Sequence, residues 1–198
     1  MLLKLNCDIS TLCRAMGTLS GVALFSFGCR QVLSEESDFS KTNVVLLVFD
    51  GTNAVSGHGL RHAYWERDGL TTFTTIDDIP CRRLHLADSD FGFFYFAIDP
   101  TFKKRSPKNV IIDIEFYDQG FGRLGLQYDA SRAREHPNSA YTMLDRFEWL
   151  NDSHQWRIAS FRVQNASFEG AQNSGSDFRF LISPPDLYVR RVSVTRGK

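Results

Sequence analysis

Charge of one sign, paired cysteines, long hydrophobic runs and helical periodicity are all scarce in this chain. Its 198 residues hold 23 Lys+Arg and 23 Asp+Glu, a formal net charge of zero. Binding nucleic acid through its phosphates needs a basic excess or a basic stripe, so that class is excluded. The four cysteines, Cys7, Cys13, Cys29 and Cys81, form no C-x-x-C pair, which leaves neither a disulfide scaffold nor a zinc ribbon. No H-E-x-x-H, G-x-S-x-G elbow or G-x-x-x-x-G-K loop occurs, so zinc hydrolysis, Ser-elbow hydrolysis and P-loop chemistry have no motif behind them. Aromatics, by contrast, are abundant: 17 Phe, 6 Tyr and 3 Trp. That density excludes intrinsic disorder, and the length suits one domain plus a short extension.

Residues 1–29 read as an address rather than as fold. Lys4 and Arg14 precede the uncharged run 15–28, AMGTLSGVALFSFG. The run is too short to span a bilayer, which needs roughly 20 apolar residues, but it fits a secretory h-region. It ends at Ser26-Phe27-Gly28-Cys29, which resembles the lipobox of bacterial lipoproteins, with Phe27 standing where a small residue is usual. The resemblance implies export, with Cys29 lipidated and the membrane reached only through that anchor. Residues 30–42 are polar and Ser-rich, the composition of a tether, and residues 43–198 form the body.

The body reads as strands. Short apolar or alternating segments recur at 44–49, 60–65, 70–76, 82–86, 91–98, 109–117, 123–128, 147–150, 156–163, 177–182 and 187–195, punctuated by Gly, Asp, Asn and Pro. The clearest is 109–117. There Val110, Ile112, Ile114 and Phe116 share one face, while Asp113, Glu115 and Tyr117 share the other. Ten or eleven short strands with almost no helical signal, beyond one turn at 131–135, predict an all-β sandwich.

Several segments carry a family likeness. They are FFYFAID at 93–99, VIIDIEFYDQG at 110–120, LGLQYD at 124–129, QWRIASF at 155–161, DFRF at 177–180 and LYVRRV at 187–192. Together these resemble the galactose-binding-like jelly-roll modules of bacterial secreted and polysaccharide-degrading proteins. The resemblance implies a jelly-roll β-sandwich, a poly- or oligosaccharide ligand, and core roles for Trp156 and the last strand. Many such modules also carry a structural calcium.

The residues offer their own candidates. A sugar ring presents an apolar C–H face that Trp and Tyr cover with little loss of entropy. Tyr64, Trp65, Tyr117, Tyr128, Tyr141 and Trp149 are the platform candidates, each weighed against an ordinary core role. Arg61, Asp129, Asn151 and Asn173 supply polar loop contacts, giving Trp65, Tyr64, Trp149, Tyr128, Asp129 and Arg61 as the expected ligand-binding set. Asp113, Glu115 and Glu66 are the carboxylates a glycosidase would need, but a solvated strand face accounts for Asp113 and Glu115 more simply. Asp88-Ser89-Asp90 opens like an acidic calcium loop, and Asp50, Thr52 and Asn53 form a second oxygen-rich turn. His58 and His62 are four apart, but Gly57 and Gly59 argue against the helix that would pair them on a metal. Cys81 reads as a buried thiol. The expectation is therefore an exported, monomeric, non-catalytic carbohydrate-binding module. An envelope interaction domain and a small glycan-active enzyme are the alternatives.

Overall fold

The computed structural model describes residues 37–51, 57–85, 90–105, 109–130, 137–183 and 186–197. The signal segment, the acidic run at 88–89, Thr52, Asn53 and the 131–135 turn lie outside the described residues. Eleven strands make up the body: β1 (Val44–Val48), β2 (Leu60–His62), β3 (Leu70–Ile76), β4 (Ile79–His85), β5 (Gly92–Ile98), β6 (Val110–Tyr117), β7 (Phe121–Tyr128), β8 (Thr142–Asn151), β9 (Trp156–Val163), β10 (Phe178–Ser183) and β11 (Leu187–Arg196). They form a jelly-roll β-sandwich of two antiparallel sheets. One has the order β3-β4-β11-β6-β9 with β1 also on β11, and the other the order β2-β5-β10-β7-β8.

Period-2 alternation decides which side chains meet between the sheets. From the six-stranded sheet come Val110, Ile112, Ile114 and Phe116 of β6, and Val189, Val192 and Val194 of β11. From the five-stranded sheet come Phe94 and Phe96 of β5, Phe178 and Phe180 of β10, and Leu124 and Leu126 of β7. Each fully buried Phe or Ile side chain contributes about 2–3 kcal/mol of apolar burial, which makes this layer the main stabilising term. Phe96 and Phe178 stack at 5.3 Å across the β5–β10 ladder, while Phe180 meets Phe161 of the opposite sheet at 5.9 Å.

Three buried aspartates pin the loops at the strand ends. Asp118, after β6, accepts from the Asn151 N–H, Ser153 and Arg157. Asp129, after β7, accepts from the N–H groups of Glu169 and Ala171 and from Ser167 Oγ. Asp177, before β10, accepts from the Ile98 and Gly170 N–H groups and from Lys103 Nζ at 2.9 Å. Burial pushes the Asp177 carboxyl up to about 6 despite the Lys103 ammonium beside it.

Two strands start earlier than their sequence pattern predicts. β4 begins at Ile79 because Asp77 and Asp78, both at positive φ, close a two-residue hairpin with β3. β8 begins at Thr142 rather than near Phe147, since a bulge opposite Gly125–Gln127 hides its alternation. Trp156 is not in the core. It shares parity with the exposed Ile158, opposite the inward Ala159, Phe161 and Val163. Its ring meets Tyr117 at 5.5 Å on the outer face of the six-stranded sheet.

Candidate functional site

The inward set of the five-stranded sheet leaves every second residue pointing outward; at the β5 end Trp65, Asp68, Tyr141 and Asn173 pack over that outer face and bury Tyr95 and Ala97, while at the β8 end Trp149 stays exposed. Cross-strand register sorts these residues into rows. Phe93, Leu181, Gly125 and Phe147 form one row, and Tyr95, Arg179, Gln127 and Met143 form the next. Arg123 pairs with Trp149 at the β7–β8 edge. Gly125 is needed here: a Cβ at that position would come within 2.8 Å of the Phe147 ring, which lies over the strand.

At the β5 end the face is a stiff polar-aromatic network. The Arg179 guanidinium lies 3.7 Å from the Phe93 ring centroid and 4.3 Å from that of Tyr141. It donates through Nε to Gln127 Oε1 at 2.6 Å and through Nη1 to the Tyr95 hydroxyl, and it pairs with Asp68 at 3.5 Å. Asn173 Nδ2 donates to the same hydroxyl at 3.1 Å, and the Tyr141 hydroxyl donates to Asn173 Oδ1 at 2.9 Å. The Tyr95 hydroxyl donates in turn to Asp68. Burial and that bond to Asp68 hold the Tyr95 phenol well above its usual range. Beside the network lies an open recess of about 350 Å³ lined by Tyr64, Trp65, Arg67 and Ser174. Ser174 Oγ donates to the Tyr64 carbonyl at 2.8 Å, and the Arg67 guanidinium sits 5.8 Å from the Trp65 ring.

At the β8 end the face is open. Trp149 is 60% exposed and Phe121 is 76% exposed, with the Arg123 guanidinium 5.1 Å from the Phe147 ring. The backbone under Trp149 is fixed from behind. Arg157 Nη1 donates to the Trp149 carbonyl at 3.1 Å and to Asp118 at 2.9 Å, and its Nη2 pairs with Glu148. Burial opposes charge on Asp118. Ser153, Arg157 and the Asn151 N–H outweigh that burial and hold its carboxyl below the usual range.

The expected ligand set divides accordingly. Tyr64 and Trp65 share the recess, with Trp65 packed on Ala63, Tyr95 and Ala97. Trp149 stands on the same face, three strand spacings or roughly 14 Å from β5. Arg61 is exposed beside Ala97 and lines a separate open cavity of about 560 Å³ that includes Phe39, Pro100 and Lys103. Tyr128 and Asp129 are corrections. Tyr128 shares the parity of Leu124 and Leu126, joins the core and donates to the Gln164 carbonyl at 3.2 Å. Asp129 is fully buried, and its carboxylate is taken by the 167–171 loop. Asn173 belongs to the Arg179 network. Asn151 is exposed at the end of β8, close to Trp149 in the chain.

The carboxylates proposed for catalysis are engaged elsewhere. Asp113 accepts from Ser160 at 2.6 Å, and Glu115 pairs with Arg190 and Arg191, both on the outer face of the six-stranded sheet. Among the described residues no group of three His, Cys, Asp or Glu is placed to hold a metal. His62 is buried and stacked on Phe94 at 4.5 Å, with burial pushing its pKa down to about 4. Cys81 is a free buried thiol whose pKa burial raises to about 11. Gly120-Phe121-Gly122-Arg123-Leu124-Gly125 has dinucleotide-loop spacing but runs along β7 with no helix after it, so its backbone serves the ladder rather than a phosphate. Sequence reasoning missed Phe121, Arg123, Phe147 and Arg179. Their signal was parity, since 121, 123 and 125 alternate with the inward 124, 126 and 128.

No family model matches the chain, and no curated protein matches it. Among solved structures it is similar to a module described as BiXyn10A CBM1 in its apo form, with 11% identity, a TM-score of 0.44, and 77% of this chain and 96% of that one covered. It is also similar to the CBM22-1–GH10 modules of the Clostridium thermocellum endo-1,4-β-D-xylanase 10B complexed with xylohexaose. There the identity is 12% and the TM-score 0.45, over 78% of this chain and 28% of that one. A third is the carbohydrate-binding module CBM6cm-2 of Cellvibrio mixtus lichenase 5A with cellotriose. It is 8% identical, with a TM-score of 0.37, over 78% of this chain and 98% of that one.

Proposed function

We propose that the chain is a non-catalytic carbohydrate-binding module that holds a poly- or oligosaccharide on the outer face of its five-stranded sheet. The observation that carries this reading is the exposure of Trp149 and Phe121 on that face, beside the Arg123 guanidinium. A solvent-exposed ring is a flat apolar platform that matches the C–H face of a pyranose, and guanidinium donors reach the ring oxygens and hydroxyls around it. The Tyr64–Trp65 recess extends the same face toward β2. Export and tethering through a lipidated Cys29 belong to this proposal, as do a monomeric state and a structural calcium ion. Retention in the membrane fraction, lost in Cys29→Ser, checks the anchor. Calorimetry with and without added calcium checks the ion.

The direct test is affinity of the full chain for a panel of polysaccharides. Trp149→Ala is expected to weaken binding about tenfold or more, the scale of one lost aromatic platform, with thermal stability kept. Trp156→Ala on the opposite face is expected to leave affinity unchanged. Binding that ignores Trp149 would move the site off this face. A chain that binds no glycan but captures protein through Phe121 and Met143 would make this face a protein-interaction surface.

A further inference from the structure

We propose that the glycan taken by this face is anionic, a polysaccharide bearing carboxylate or sulfate groups. The inference rests on the carbohydrate reading and names its ligand class. Arg61 on β2, Arg67 in the recess and Arg123 on β7 all lie on or beside this face, and among the described residues none of them is paired with an acid. Arg67 and Arg123 sit over the rings of Trp65 and Phe147 instead. A guanidinium beside a ring and without an acid partner keeps N–H groups available, and its planar fork matches a carboxylate or sulfate in bidentate fashion.

The acceptors of the face tell the same story. A neutral sugar presents hydroxyls that both donate and accept, so a face built for it needs free acceptors as well as donors. Here Asp68 is already held by Arg179 and Tyr95, and Gln127 Oε1 is taken by Arg179 Nε. At the β5 end the described acceptors are therefore engaged, while the Arg67 and Arg123 guanidinium groups have no acid partner among the described residues. The arginines also stand beside the rings, which places ionic recognition next to stacking.

The test uses the full chain with polygalacturonate as the carboxylate source, dextran sulfate as the sulfate source, xylan and mixed-linkage β-glucan as neutral glycans, and a single-stranded oligouridine. At least one polyanionic glycan is expected to bind about tenfold more tightly than either neutral one, the scale of one charge-assisted contact, and that advantage is expected to shrink as salt is raised. Whichever of the two polyanions binds identifies the group. Arg123→Gln is expected to cost the polyanion about tenfold and to flatten its salt dependence, while Arg123→Lys keeps much of that dependence because charge survives without the fork. Circular dichroism of both variants checks the fold. Salt-independent binding, equal for charged and neutral glycans, would overturn the anionic inference and leave the carbohydrate reading standing. Oligouridine bound more tightly than either polyanion would overturn it in favour of nucleic acid. Binding of no glycan would overturn both.

Discussion

The outer faces of the two sheets draw on the same residue types but differ in how far those residues already satisfy one another. On the six-stranded sheet the charges around β11 are matched, although Arg162 of β9 is exposed with no acid partner among the described residues. Glu115 lies 3.0 Å from Arg190 and 3.3 Å from Arg191, and Arg83 is paired with Asp186, which also bonds His85. Its aromatics, Tyr188, Tyr117 and Trp156, fall in one cross-strand row, and Tyr117 is closed over by its neighbours. On the five-stranded sheet Arg179 is paired with Asp68, but Arg67 and Arg123 lie over rings with no acid partner among the described residues, and Trp149 and Phe121 meet solvent. A face with uncompensated guanidinium groups and bare rings gains most when something else binds it.

That contrast depends on Trp149 being held out at a fixed angle, and Asp118 does much of the holding. Asp118→Ala leaves the Asn151 N–H, Ser153 and one edge of Arg157 without their acceptor. The expected loss is about 3 kcal/mol, the usual scale for opening a buried, charge-assisted cluster. Urea denaturation measures it. Because the folded carboxyl sits below its ordinary range, the stability it supplies is full above the unfolded value near 3.8 and is lost as pH falls below it. A loss under about 0.5 kcal/mol would mean that the β8–β9 turn holds Trp149 without it.

The interior beneath the binding face contains two groups with opposite pH slopes. His62 has a folded pKa of about 4 against 6.5 unfolded, so the unfolded chain binds the extra proton between those values. Its contribution is complete above 6.5 and is lost as pH falls toward 4. Asp177 has a folded pKa of about 6 against 3.8, so the folded chain binds the extra proton and stability drops as pH rises from 3.8 to 6. Each effect spans about 3 kcal/mol at most, and they offset one another between pH 4 and 6. The native chain is therefore expected to show a shallow stability profile there. His62→Phe, which keeps a ring stacked on Phe94, exposes the Asp177 slope, so that variant becomes more stable as pH falls from 6 to 4. Thermal melts across that range decide it. A variant profile as flat as the native one would show that the two groups do not titrate as described.

The sandwich itself was legible because alternation is local. VIIDIEFY at 110–117 shows both of its faces in eight residues, and Asp113 and Glu115 fell on the outer face as their parity required. The binding face was only half legible. Trp149 and Trp65 were within reach as aromatics beside charged neighbours. Phe121 and Arg123 were passed over, although the inward run Leu124, Leu126 and Tyr128 implied their direction. Tyr128 went astray for the same reason: its hydroxyl drew more weight than its parity. Asp129 was beyond local reading altogether, because the N–H groups it satisfies lie about 40 residues further along the chain. No pattern within one strand reveals that a later loop lacks an acceptor.

The smallest expected effect is the sharpest check on the comparison between faces. Glu115→Gln frees Arg190 and Arg191 on the six-stranded sheet and so adds two unpaired guanidinium groups to that of Arg162 on the same face. Both arginines are more than 40% exposed, so solvent screens the pairs and the stability cost is expected to stay below about 1 kcal/mol and to shrink with salt. Melting temperatures at low and high salt measure that part. The informative part is binding. If loose positive charge were sufficient for a polyanionic glycan, the variant would gain a second, salt-sensitive site. Here, however, Tyr117 is buried and Trp156 is packed edge-on against it, so neither offers an open platform beside the freed charge. The variant is accordingly expected to bind with the native stoichiometry in calorimetry. A second equivalent of ligand would mean that charge alone recruits it, and that the rings around Arg123 are incidental.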